Sequence, residues 1–335
     1  MLLNIALSAV GFAMLIKCAG FFVDGAASLA KTFKISTAVI GLTIVAFGTS
    51  APELAISFGS HLSGNTDMLF GNVIGSSIAN ILVILGIATL IKPFRIHNDA
   101  IKKEIPILVL ITLGLSVLML DTVFDSAPHN SLTRVDALVL ILFFAVFIYY
   151  LITVLANGKK KNAAAHAVEA EVSEISSEKP HSESPKYKLP IAITAILLGL
   201  GGIIVGSNLV VDNVASFAET IGISQKIISV TIISIGTSLP ELVTTITAAK
   251  KGENGIAIGN IVGSNIFNIC IVLGLPVLIL GEAVTVAFGA VDVIFMLAAV
   301  ILLWIFSATN REIRRYEGII LIGVYCLYGV YIFVQ

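Results

Sequence analysis

The stretch GLTIVAFGTSAPELAISFGSHLSGNTDMLFGNVIGSSIANILVILG, residues 41–86, decides the fold of this chain because it occurs a second time. Its copy is SVTIISIGTSLPELVTTITAAKKGENGIAIGNIVGSNIFNICIVLG, residues 229–274, and about 18 of the 46 aligned positions are identical. The copies align without a gap at an offset of 188 residues, and the register extends upstream to Asp24 and Asp212. The chain therefore consists of two related halves.

The composition is that of a protein that lies in a lipid bilayer. Of the 335 residues, 57% are hydrophobic and 12% are charged, and the mean hydropathy is +1.02, whereas soluble domains are about a quarter charged. At about 20 apolar residues per crossing, the chain is predicted to be an all-α polytopic membrane protein with ten transmembrane helices. That leaves no room for a separate soluble enzyme domain, and a net charge of -1 gives no basic excess for nucleic acid. The predicted crossings are 3–23, 36–60, 69–91, 104–120, 135–156, 189–211, 224–249, 255–280, 284–307 and 317–334.

The basic residues predict the orientation in the membrane. One set of alternating loops, together with the polar segment 157–188, holds nearly all Lys and Arg, and the other set holds little more than Arg134 and Lys226. By the positive-inside rule, the basic loops and the flexible linker 157–188 are cytoplasmic and both termini lie outside. The halves 1–156 and 189–335 each contain five predicted crossings, an odd number, so the second half enters the membrane in the opposite direction. This is an inverted repeat, which in transporters places the substrate site near the midplane.

Each half carries one acidic residue deep in an apolar span, Glu53 in GTSAPE and Glu241 in GTSLPE. An ionised carboxylate at that depth costs a few kcal/mol or more and needs compensation. The proline before each glutamate has no amide hydrogen, so the carbonyls of Gly48 and Gly236 lose their helical partners and become available. The hydroxyl residues expected on the same side of the two helices are Thr49, Ser50, Thr237 and Ser238.

A further polar helix in each half contains GNVIGSSIAN or GNIVGSNIFN. Ser76 and Asn80, like Ser264 and Asn268, stand four residues apart and share one helix face. These side chains either hydrogen-bond between helices or face the glutamates and complete an all-oxygen cluster. Such a cluster suits Ca²⁺ or Na⁺ rather than zinc or copper. Two carboxylates are neutralised by one Ca²⁺ or by several monovalent ions, so binding of one kind of ion excludes the other. At a site with alternating access, this mutual exclusion produces antiport of the two kinds of ion.

The paired GTSAPE/GTSLPE and GNVIGS/GNIVGS motifs resemble those of the sodium/calcium exchanger family of cation/calcium antiporters, in its prokaryotic form. The resemblance implies that 41–86 and 229–274 are the α-repeats, with Ca²⁺ between Glu53 and Glu241 and the backbone oxygens of Thr49 and Thr237. It also implies that Na⁺ enters as Ca²⁺ leaves. The Na⁺ ligands implied by the same matching are Ala46, Ser50, Ser76, Ser234, Thr237, Ser238 and Ser264. Some relatives have Asp at the position of Asn268, and the neutral residues here favour K⁺-independent exchange.

The sequence leaves alternatives to Na⁺/Ca²⁺ exchange open. The same carboxylates would also suit an exchanger of H⁺ for Ca²⁺ or for another divalent cation, although the surrounding hydroxyls favour Na⁺. A passive Ca²⁺ channel is a further alternative. An enzyme is not expected, because the spans hold no Ser/His or His/Glu constellation. We therefore expect Ca²⁺ and Na⁺ as transported ions, no organic cofactor, and a monomer in the cytoplasmic membrane of a microbe.

Overall fold

The protein is a helical membrane protein, described by a computed structural model over residues 2–124, 129–172, 184–221, 234–281, 284–285 and 289–334. The helices of the first half are α1 (Leu2–Phe33), α2 (Thr37–Thr49), α3 (Ala51–Leu62), α4 (66–91), α5 (100–118), α6 (Asp121–Phe124) and α7 (Arg134–Val172). Those of the second half are α8 (Leu189–Thr220), α9 (Ser234–Thr237), α10 (Leu239–Lys251), α11 (Asn254–Leu280), α12 (Ala290–Asn310) and α13 (Arg315–Val334).

Seven helices within the described residues are long and apolar enough to cross a membrane, and the bent pair α2–α3 would make an eighth crossing. These eight match eight of the ten predicted crossings. The remaining two are 104–120 and 224–249. The first holds most of α5, which carries Lys102, Lys103 and Glu104 in its first turns and is not among the seven. Residues 224–233 of the second lie outside the described part of the chain.

Several helices extend beyond the predicted spans. Helix α1 continues to Phe33 instead of ending near residue 23, so Asp24 lies within a helix. Helix α7 continues from the predicted end at 156 to Val172, into the segment predicted to be a flexible linker. The Ala, Lys and Glu residues of that segment are strong helix formers and can prolong a helix that the membrane has already nucleated. Residues 173–183 of the predicted linker lie outside the described residues.

Local signals begin and end the helices as the sequence chemistry requires. The Ser36 side chain caps α2 by accepting a hydrogen bond from the Val39 amide at 3.3 Å. Pro190 lies in the first turn of α8, where its missing amide hydrogen costs nothing. Helices α10 and α11 end at Gly252 and Gly281, whose φ values of 78° and 81° are natural for glycine.

The first helices of the two halves, α1 and α8, pack against each other along their lengths. A Cβ placed on Gly11 would lie 2.9 Å from the Gly206 carbonyl, and one on Gly25 would lie 2.8 Å from the Ala192 carbonyl. An early residue of α1 therefore meets a late residue of α8, and the helices run antiparallel. Small residues permit this close approach.

Two short antiparallel ribbons join distant loops. Strand β1 (Phe94–Arg95) pairs with β4 (Glu312–Ile313), and β2 (Ser131–Leu132) pairs with β3 (Val284–Thr285). Both strands of the first ribbon lie in loops predicted to be cytoplasmic. In the second ribbon, β2 lies in a loop predicted to be outside, and β3 lies at the outer start of the predicted crossing 284–307, before α12 begins at Ala290. Each ribbon therefore links segments that the charge pattern assigns to one side of the membrane.

Helix α11 packs backbone to backbone against α2. A Cβ on Gly259 would lie 2.7 Å from the Ala38 carbonyl oxygen, and a Cβ on Gly263 would lie 2.7 Å from the Leu42 carbonyl oxygen. At Gly75, the repeat counterpart of Gly263, no atom lies within 4 Å of such a Cβ in the described part of the chain. The close backbone approach at Gly259 and Gly263 is therefore not repeated at Gly75 within the described residues.

Candidate ion-binding site

Both glutamates follow a break in a helix. The break between α2 and α3 falls at Ser50, with φ -87° and ψ 7°, and the helices on either side are bent by 44°. The break between α9 and α10 falls at Ser238, with φ -88° and ψ 3°. A proline lies in the first turn after each break. Pro52 and Pro240 thus interrupt both helices with nearly identical backbone geometry, as expected of residues that lack an amide hydrogen.

The two carboxylates are buried and incompletely hydrogen-bonded. Glu53 and Glu241 are each 1% exposed. Both carboxylate oxygens of Glu53 and Oε2 of Glu241 have no hydrogen-bond partner within the described residues. Oε1 of Glu241 accepts a hydrogen bond from the Ser50 hydroxyl at 3.0 Å, and the two carboxylates interact electrostatically. Burial of such oxygens is costly unless another species satisfies them.

Further predicted oxygens meet at the contact between α2 and α11. The Ser264 hydroxyl lies 3.5 Å from the Ala46 carbonyl oxygen, on the other half of the chain. The Thr49 hydroxyl lies 3.3 Å from the same carbonyl. Ser238 is also buried, and its hydroxyl has no partner among the described residues. The two halves thus bring hydroxyl and carbonyl oxygens together around the glutamates.

Asn80 and Asn268 begin equivalent π-helical turns, Asn80–Leu85 in α4 and Asn268–Leu273 in α11. The turn that begins at Asn80 packs against α10, which carries Glu241, and the turn that begins at Asn268 packs against α3, which carries Glu53. Both amide groups are buried, and neither has a partner in the described part of the chain. Each half therefore contributes an uncommitted amide next to the opposite half's glutamate helix.

One predicted oxygen already accepts a hydrogen bond. The Ser207 hydroxyl of α8 donates to the Gly236 carbonyl at 2.9 Å. This bond occupies one of the two lone pairs of the carbonyl oxygen, so its availability to an ion stays a prediction. The repeat counterpart of Ser207 is Ala19, which has no hydroxyl to offer Gly48.

The remaining predicted ligands are Ser76, Thr237 and Ser234. Ser76 donates its hydroxyl to the Asn72 carbonyl of its own helix. Thr237 is half-buried at the end of α9. Ser234 begins α9, and its side chain lies outside the described residues.

Two asparagines that are not among the predicted ligands also contact this site. The side-chain amide of Asn72 donates to the Glu53 carbonyl at 3.0 Å, and that of Asn260 lies 3.4 Å from the Glu241 carbonyl. Both belong to the motifs GNVIGS and GNIVGS and are identical in the two copies, which was the signal that could have found them.

The donor set is made of oxygen atoms. Within the described residues, no group of three or more His, Cys, Asp or Glu side chains is placed to hold a metal ion. Two carboxylates with hydroxyl, amide and carbonyl oxygens suit hard cations that pass through the protein, rather than a tightly held transition metal.

A helical membrane protein with a buried, oxygen-lined pair of carboxylates has the features of an ion transporter. Comparison with known proteins identifies the family of transporters. The model of the sodium/calcium exchanger protein family matches residues 3–153 and 191–334, and this chain belongs to that family. It is 37% identical to the inner membrane protein YrbG of Escherichia coli, over 96% of this chain and 94% of the relative. It is 31% identical to the sodium/calcium exchanger MaX1 of Methanosarcina acetivorans, over 98% of both chains.

The solved structures agree. The sodium-calcium exchanger NCX_Mj, soaked with Na⁺ and Ca²⁺, matches 98% of this chain with 97% of its own, at a TM-score of 0.79 and 28% identity. The fold is therefore that of a membrane exchanger, and the family is one of cation/Ca²⁺ transporters rather than enzymes.

Proposed function

We propose that this protein is a Na⁺/Ca²⁺ antiporter that works by alternating access, with Na⁺ entering the cell as Ca²⁺ leaves. The observation that carries the proposal is the buried pair Glu53 and Glu241, of whose four carboxylate oxygens three have no hydrogen-bond partner within the described residues. A dehydrated Ca²⁺ supplies two charges to a site of charge -2, and several Na⁺ ions supply the same neutralisation. The presence of either cation therefore opposes binding of the other.

The proposed ligands divide between the two ions. Ca²⁺ lies between Glu53 and Glu241 and takes backbone oxygens of Thr49 and Thr237. Na⁺ takes oxygens of Ala46, Ser50, Ser76, Ser234, Thr237, Ser238 and Ser264, and the amides of Asn80 and Asn268 face the centre. The contact of Ser50 with Glu241 supports the proposal that the two sets of ligands lie side by side, since it joins a proposed Na⁺ ligand to a proposed Ca²⁺ ligand.

The proposed topology has ten crossings in two inverted halves, 1–156 and 189–335, with both termini outside and 157–188 cytoplasmic. The antiparallel packing of α1 and α8 supports the inversion, because these helices begin the two halves. The two ribbons support the assignment of loops to sides. Both halves of the site come from one chain, so we propose the monomer as the transporting unit in the cytoplasmic membrane.

The test is ⁴⁵Ca²⁺ uptake into proteoliposomes loaded with Na⁺, compared with liposomes that hold K⁺ or an imposed pH gradient. We expect uptake that requires the Na⁺ gradient and is abolished in Glu53→Gln. The matched control is Glu317→Gln, because Glu317 is also buried, at 2% exposure, but accepts a hydrogen bond from the Arg314 amide at 2.7 Å. Uptake driven by the pH gradient without Na⁺ would show that protons are the counter-ion. Flux that needs no counter-ion would show a pore.

A further inference from the structure

Two asparagine side chains brace the half-helices that carry the glutamates. Asn72 on α4 donates from Nδ2 to the Glu53 carbonyl at 3.0 Å and to the Ser57 hydroxyl at 3.1 Å. A backbone carbonyl has two lone pairs, so it can accept this bond in addition to its helical one. The amide therefore fixes the rotation of α3 about its axis one turn beyond the break.

The second asparagine repeats this arrangement at the offset of 188 residues. Asn260 on α11 donates from Nδ2 to the Thr245 hydroxyl at 2.9 Å and lies 3.4 Å from the Glu241 carbonyl oxygen. Asn260 is buried, and α11 packs against α10. Each glutamate thus has a bracing amide on the helix that also carries the serine and asparagine of its own repeat.

Asn260 has one further contact, which crosses between the halves. Because the Glu241 carbonyl can only accept, Nδ2 of Asn260 must face it, and Oδ1 must point the other way. There it accepts from the Thr49 hydroxyl at 3.1 Å. The same hydroxyl lies 3.3 Å from the Ala46 carbonyl oxygen. The Ala46 carbonyl also accepts from the Ser50 amide at 3.0 Å, so it has one further lone pair. A hydroxyl has only one hydrogen, so a bond to Asn260 means that Thr49 does not take that lone pair.

We propose that Asn72 and Asn260 are positioning residues of the ion site, and that Asn260 also turns the Thr49 hydroxyl hydrogen away from the Ala46 carbonyl. The second role rests on the proposed function, in which Ala46 is a Na⁺ ligand. Thr49 also interacts with the Glu241 side chain. Without Asn260, the Thr49 hydroxyl can donate to the Ala46 carbonyl, where it competes with Na⁺ for the remaining lone pair. The competition affects Na⁺ more than Ca²⁺, because Ca²⁺ is bound mainly by the carboxylates.

The experiment measures ion binding separately from transport. Purified protein is titrated with Na⁺ or Ca²⁺, and the rise in its melting temperature gives the half-saturating concentration of each ion. For Asn260→Ala we expect the half-saturating Na⁺ concentration to rise about tenfold, the loss typical of one buried hydrogen bond, and that for Ca²⁺ to rise less. For Asn72→Ala we expect both ions to weaken by similar factors.

The matched control is Asn213→Ala on α8. Asn213 is half-buried, and its Nδ2 donates within its own helix, to the Leu209 carbonyl at 2.8 Å. This variant should bind both ions as the wild type does. If Asn213→Ala loses as much as Asn260→Ala, or if Asn72→Ala and Asn260→Ala bind both ions like the wild type, the positioning role is wrong. If Asn260→Ala does not fold, Asn72→Ala decides that role.

The direction of the Thr49 hydroxyl is tested with Thr49→Val, which removes the hydroxyl and keeps the shape and the backbone carbonyl. Asn260→Ala should then raise the half-saturating Na⁺ concentration much less than it does when Thr49 is present. An equal factor in both backgrounds would overturn this part of the proposal. Wild-type protein that binds both ions but does not exchange them would refute the proposed function and leave the positioning role standing.

Discussion

Gly263→Ala should destabilise the protein, because it inserts a methyl group between two backbones. A Cβ on Gly263 would lie 2.7 Å from the Leu42 carbonyl oxygen and 2.9 Å from the Leu42 Cα. Ordinary contact begins near 3.4 Å, so α2 and α11 must separate by about 0.7 Å. Overpacking of this kind costs about 1–3 kcal/mol. The separation also lengthens the contact of Ser264 with the Ala46 carbonyl, already 3.5 Å, beyond hydrogen-bonding range.

The repeat supplies the matched control, Gly75→Ala. No atom of the described residues lies within 4 Å of a Cβ at Gly75, and alanine favours a helix over glycine by about 0.8–1 kcal/mol. Thermal unfolding in one detergent should therefore show Gly263→Ala melting several degrees below the wild type and Gly75→Ala at or above it. Equal melting temperatures for the two variants, or a lower one for Gly75→Ala, would refute the reasoning.

Two further predictions concern polar contacts. Ser50→Ala removes the donor to Glu241 Oε1 at 3.0 Å. Because a bond to a charged group contributes about 1.5–3 kcal/mol, ion-dependent melting should show Ca²⁺ binding weakened about tenfold or more. Unchanged Ca²⁺ binding would contradict this role of the bond. Asp24→Asn weakens the contacts of Asp24 with Lys186 and with Lys251, the latter at 2.6 Å; we expect a loss of about 1 kcal/mol or less that shrinks as salt is added. The hydrogen bond to Asp24 raises the pKa of Lys186, so this contribution should be complete at neutral pH. It should be lost as the pH rises through that raised value, and also in acid, where Asp24 becomes protonated; a loss that begins near neutrality would contradict it.

The breaks at Ser50 and Ser238 could be predicted from the sequence because their causes are local. A proline removes one hydrogen bond in its own helix, and this effect does not depend on the rest of the fold. The buried state of Glu53 and Glu241 followed from the length of the apolar spans around them. The second copy strengthened both inferences, because the same motif is unlikely to occur by chance at equivalent positions of two repeats.

Contacts between distant residues could not be predicted in the same way. Nothing near Gly236 in the sequence indicates that Ser207 occupies its carbonyl, because the contact depends on how α8 packs against α9. Asn72 and Asn260 were missed for a similar reason, since an asparagine in an apolar helix has many possible partners. Helix ends also escaped prediction, because hydropathy marks the edge of the membrane and not the end of the helix that leaves it.

The carboxylate oxygens without protein donors bear on how tightly such a carrier couples its two fluxes. A bare pair of charges, Glu53 and Glu241, closed off from water on both sides would cost several kcal/mol, and every 1.4 kcal/mol or so of barrier slows a crossing about tenfold. The empty carrier would therefore reorient far more slowly than the loaded one. In the proposed antiporter, a site that holds its counter-ion would reorient quickly, whereas an empty site would reorient slowly. In such an antiporter, the cost of desolvating the empty site would itself suppress slippage.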